Sequence, residues 1–163
     1  MSPSEGIGVG NIYKIAADET NNITPPVGRD VWFKHFVVMG KAADGSVYGC
    51  VVFDSLINKN NVEPGDEEFY MPIQEGRYPF IDHDSYLECL ELKPATAEKL
   101  LAGKYEGRLD PSDLQKALKL VKMSRRHSYV LLKMYSILEP CLKVRGPPRK
   151  AKYYLVTDSE TVP

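Results

Sequence analysis

The chain has 163 residues, of which 43% are hydrophobic and 26% charged, with a formal net charge of −1. That is enough for one hydrophobic core, and the balanced charge gives the chain as a whole no attraction for a polyanion, although a local basic patch is all that a phosphate backbone feels. No apolar run approaches the roughly 18 residues of a spanning helix, so no membrane partner is expected. The opening MSPSEGIGVG lacks a basic region followed by an apolar one, so no secretory signal is expected. Cys50, Cys89 and Cys141 are too few and too far apart for a disulfide framework or a zinc ribbon. A single cytoplasmic domain over residues 1–163, with reduced thiols and no cofactor, is the plain expectation.

In chain order, NIYKIA (Asn11 to Ala16) is the first strand candidate, followed by a loop, DETNNITPPVGRD, rich in turn formers. VWFKHFVVMG is a strong strand candidate, and Asp44-Gly45 is a hairpin signal leading into SVYGCVVFDSLI, which ends near Asp54 and Ser55. Residues 58–68 are polar loop. FYMPI is a short strand that Pro72 assigns to an edge or a terminus, and SYLECLEL is another that Pro94 should stop. TAEKLLAG makes a helical turn or two. LDPSDLQKALKLVKM is a helix with Asp110 as N-cap, Pro111 at the first position and Asp113 as the acidic end of a capping box. RRHSYVLLKMYSILEP is a second helix closed by Pro140, and Lys152 to Val156 a possible last strand. Mostly β first and helical later, the pattern predicts a mainly β fold: a small, bent barrel with C-terminal helices packed on it.

YPFIDHDSYLECLELKP is the densest passage in titratable groups. Asp82, His83 and Asp84 are consecutive, so they cannot all point one way from a strand, and no metal site is expected of them. Asp84 or Ser85 bonding local backbone at the strand entrance is one reading. His83 as a proton carrier is the other. Arg29, Lys34 and His35 follow the TPPVG loop. Alternation puts Lys34 on one face with Trp32 and Phe36, and Phe33 with His35 on the other. Lys34 among these rings is either a snorkelling side chain or an anchor for phosphate beside stacking surfaces. Asp54 and Ser55 lie at a strand end, a common position for a site. A second basic group, Lys122, Arg125, Arg126 and His127, joins the two helices.

DHDSYLECLELKPATAEKL and GKYEGRLDPSDLQKALKLV together resemble the C-terminal half of toxins of the MazF/PemK family. There an aspartate-serine pair opens a late strand, and a phrase like Gly107 to Asp113 introduces the final helix. GNIYKI and FKHFVVMG resemble the family's first two strands more loosely. The resemblance spans about residues 8–121 and leaves 122–163 as a C-terminal helical and strand extension. It implies an SH3-like barrel, a homodimer, and a metal-independent endoribonuclease that cleaves single-stranded RNA by 2′-hydroxyl attack under restraint by an antitoxin. On that reading Lys34, His83, Ser55 and Arg29 are catalytic, while His35, Trp32, Asp54, Arg125 and Arg126 bind RNA. Lys34 stands where the family has arginine, and Glu88 and Leu90 stand where some members have arginine and aspartate. The alternative is a non-catalytic SH3-like barrel that binds a protein partner or RNA.

Overall fold

In the computed structural model, residues 6–53, 63–127, 129–135 and 137 are described. The strands are β1 (Asn11–Ala17), β2 (Trp32–Lys41), β3 (Val47–Phe53), β4 (Tyr70–Ile73), β5 (Ser85–Ala95) and β6 (Lys104–Arg108). The helices are α1 (Ala97–Ala102), α2 (Pro111–Met123) and α3 (Tyr129–Met134). The predicted strand Lys152 to Val156 lies outside the described residues.

The six strands form one antiparallel sheet in the order β4-β5-β3-β2-β1-β6. This corrects the expected SH3-like barrel. Closure requires the outermost strands to pair with each other, whereas β4 pairs with β5 at one edge and β6 with β1 at the other. The physical reason is that the sheet has a core on each face. On one face Ile12, Val37, Cys50 and Leu87 pack against Ala117 and Val121 of α2. On the opposite face Tyr13, Ile15, Phe36 and Val51 pack against Ala97 and Leu100 of α1. Successive strand residues point to opposite faces, so the continuous burial of Phe36 to Gly40 follows from helices on both sides. The fold is therefore an open sheet between helical layers, a mixed α/β arrangement.

Local chemistry sets the connections. The Asp44 carboxylate accepts from the Ser46 N–H (2.9 Å) and hydroxyl (2.7 Å), and Gly45 takes φ 93°, so the Asp-Gly signal makes the β2–β3 turn. Gly49 permits close approach of β3 to β2, because a Cβ there would strike the Val37 carbonyl oxygen and the Phe36 ring. Pro94 does not stop β5, which runs on to Ala95. Its carbonyl instead accepts from Asn21 Nδ2 (2.8 Å). β5 is also irregular: Gly49 faces Lys93 and Val51 faces Glu88, so residues 89–92 lie opposite Cys50 alone.

At the start of α2, Asp110 accepts from the Ser112 N–H (3.2 Å), as an N-cap does. Asp113 does not complete a capping box. The Asp110 N–H goes to the Tyr78 hydroxyl (2.8 Å), and that hydroxyl donates to Asp113 Oδ2 (2.6 Å), which also accepts from Arg77 Nε (3.0 Å). Burial and the bond to Asp113 push the Tyr78 pKa up to about 12. Burial raises Asp113, but the hydrogen bonds from Arg77 and Tyr78 outweigh it and hold the carboxyl below its ordinary range. This network pins α2 to the loop before β5.

Candidate functional site

The Asp82-His83-Asp84 stretch opens a strand. Asp84 Oδ1 accepts from the Glu75 N–H (2.9 Å), and the Ser85 hydroxyl donates to the His83 carbonyl (2.9 Å). His83 Nδ1 donates to Asp82 Oδ1 (2.6 Å), with both side chains exposed. Among the described residues no three His, Cys, Asp or Glu side chains are gathered as metal ligands.

Lys34 and His35 occupy opposite faces of β2. The His35 ring stacks on Phe80 at 4.2 Å, on the α2 side, and its Nε2 lies 3.6 Å from Glu106. Lys34 is 6% exposed, so its head does not snorkel. Its ammonium sits 3.7 Å from the centre of the Trp32 ring and 4.5 Å from that of Phe53, where the rings' negative faces favour a cation. Arg29 lies in the exposed loop, its N–H bonded to the Pro26 carbonyl (3.0 Å). Arg125 is exposed, and Arg126 lies 3.5 Å from Asp66. Asp54 and Ser55 fall outside the described residues.

The residue that sequence reasoning passed over is Glu88, noted there merely as a departure from a family pattern. It is 6% exposed on the same face as Lys34. Its Oε1 is the one buried side-chain nitrogen or oxygen without a hydrogen-bond partner among the described residues. Val51 stands opposite both Phe36 of β2 and Glu88 of β5, and Tyr70 of β4 faces Glu88 from the other side. Phe53, which touches Lys34, stands opposite Tyr86. The outer half of this face thus runs from Trp32 and Lys34 across Phe53 and Tyr86 to Glu88 and Tyr70. Burial pushes the Glu88 carboxyl above its ordinary value, Lys93 and Arg126 opposing and Glu91 assisting. The Tyr70 hydroxyl is raised as well, by burial first and then by the Glu88 charge. A buried carboxyl oxygen lacking a hydrogen bond is costly, and perturbed titratable groups of this kind cluster at functional sites. No signal in SYLECLEL distinguishes Glu88 from Glu91, because both are strand glutamates in an imperfect alternation.

No family model matches the chain, and no curated protein matches it. With the open sheet, this overturns the MazF/PemK resemblance. The phrases that carried it, an Asp-Ser strand entrance and an Asp-Pro helix start, are general backbone chemistry available to any fold. The endoribonuclease reading falls with the barrel. Cleavage by 2′-hydroxyl attack needs cation and proton carrier around one phosphate. Here His35 points away from Lys34, and His83 bonds Asp82 in an exposed loop. The SH3-like binding barrel offered as the alternative is corrected on the same ground. None of the described helices is long and apolar enough to cross a membrane.

Proposed function

We propose that the chain is a small-molecule binding protein. Its site is the outer half of the sheet face that carries Lys34 and Glu88, and its ligand is a small flat molecule presenting amino or amidino N–H groups. The observation that carries this reading is the buried, unpartnered Oε1 of Glu88. The free oxygen can accept an N–H of an amidinium, and the ligand's charge restores the ionisation that burial disfavours. Tyr70 and Tyr86, both half-buried, supply ring surface beside Glu88. Trp32 and Lys34 bound the other end, with the Lys34 ammonium over the Trp32 ring.

Benzamidine tests the reading, with benzoate as the control of opposite charge. At about 10 mM, benzamidine should raise the melting temperature and shift the NMR signals of Tyr70 and Tyr86. Benzoate should do neither, and Glu88→Gln should abolish the benzamidine effect. Signals of Tyr70, Tyr86 and Glu88 that stay fixed in benzamidine would sink the proposal. Because binding draws Glu88 into its ionised form, affinity should rise with pH until the free protein's Glu88 is itself ionised.

A further inference from the structure

The irregular part of β5 poses an accounting problem for its backbone. Residues 89–92 face Cys50 alone on β3, and β4 reaches β5 no further than Glu88. Buried backbone groups without a ladder need other partners. The end of α2 and the segment after it supply them. Ser124, which caps α2 and is 4% exposed, donates its hydroxyl to the Leu90 carbonyl (2.6 Å). The Leu92 N–H donates to His127 Nε2 (2.9 Å), and His127 Nδ1 faces the Val121 carbonyl at 3.1 Å.

These two backbone groups dictate the state of the ring. Leu92 N–H is a donor, so Nε2 must be bare. The Val121 carbonyl is an acceptor, so Nδ1 must carry the hydrogen. A second proton would set an N–H against an N–H. We propose that His127 is a proton-sensitive latch on the stretch of β5 adjoining Glu88, and that its protonation releases this stretch and loosens the site at Glu88. The consequence for the ligand rests on the reading of Glu88 given above, whereas the latch itself does not. The charged groups that act on the ring are Glu91 of β5, which favours its protonation, and the neighbouring Arg126, which opposes it. Burial is the largest influence and also holds the ring neutral.

An NMR titration of the whole protein tests this. The His127 imidazole should titrate below the ordinary 6.5. As it does so, hydrogen exchange of the Leu92 amide, corrected for the intrinsic pH dependence, should quicken about five- to tenfold, the change expected for losing one hydrogen bond. In His127→Gln, whose amide does not titrate, Leu92 exchange should show no such step. An imidazole that titrates at or above 6.5, or a Leu92 amide indifferent to its titration, overturns the latch. Coupling to the site is read without any ligand, from the Glu88 carboxyl carbon. Its signal should carry a step in register with His127 in the wild type and lack that step in His127→Gln. The same Glu88 curve in both proteins overturns the coupling. Failure of benzamidine to bind, with the Leu92 and Glu88 steps intact, would count against the ligand reading and leave the latch standing.

Discussion

The face of the sheet under α2 and the outer half of the opposite face treat buried polarity in opposite ways. Under α2, each buried polar side chain has found a partner: Tyr78 and Asp113 bond each other and their surroundings, and Ser124 bonds the Leu90 carbonyl. Half-buried His127 completes that set between Leu92 and Val121. On the other face, Glu88 holds a buried oxygen without a hydrogen bond among the described residues. Paired polarity rigidifies a fold, while unpaired polarity costs stability and persists where a function uses it. The comparison teaches which of the two regions is scaffold and which is site.

The largest effects should come from the apolar layers, which both regions share. Phe36→Ala and Leu87→Ala, one on each face and both fully buried, should each cost about 2–5 kcal/mol in urea unfolding. Near-zero cost for either would mean that its face is not a packed core. On the α2 face, Asp113→Ala leaves the Tyr78 hydroxyl and Arg77 Nε without their acceptor, and a loss of about 1–3 kcal/mol is expected by the same measurement. The sign should reverse on the other face. Glu88→Leu removes a buried carboxyl with an oxygen that has no hydrogen-bond partner among the described residues, and should stabilise the protein by about 1–3 kcal/mol. A destabilised Glu88→Leu would erase the distinction between the regions.

The smallest effects, of opposite slope, should appear with pH. His127 binds its proton less tightly in the folded chain, so its contribution is complete above 6.5 and fades as pH falls through its lower folded value. Glu88 binds its proton more tightly in the folded chain, so its contribution is complete below 4.5 and fades as pH rises through its higher folded value. Melting curves of wild type, His127→Gln and Glu88→Gln across acid pH separate the two. Each variant should flatten the slope of its own group.

Much of the architecture was legible in the residues. Aromatic and β-branched alternation marked β1, β2 and β3, Asp44-Gly45 marked their turn, and Asp110-Pro111 marked the start of α2. These signals are local: they depend on a residue's own backbone preferences and its nearest neighbours. β6 gave no such signal. Lys104–Arg108 holds one large apolar residue, Tyr105, and is a strand because β1 offers it an unpaired edge. Pro94 misled for a related reason: its carbonyl goes to Asn21 and not to β3, so its polar edge faces away from that ladder and the missing N–H costs no pairing. The candidate site was half visible. Alternation placed Lys34 with Trp32 and separated it from His35, but the importance of Glu88 was hidden.

What the sequence by itself determined is the identity and position of most elements and the two-faced pattern along β2. Whether the sheet closes, which strands take its edges, and which of the β5 glutamates is buried were decided by the tertiary structure alone. The reason is that burial and pairing are long-range quantities. Glu88 is perturbed because Val51 and Tyr70 flank it from strands 37 and 18 positions earlier in the chain, and no window of neighbouring residues contains that fact.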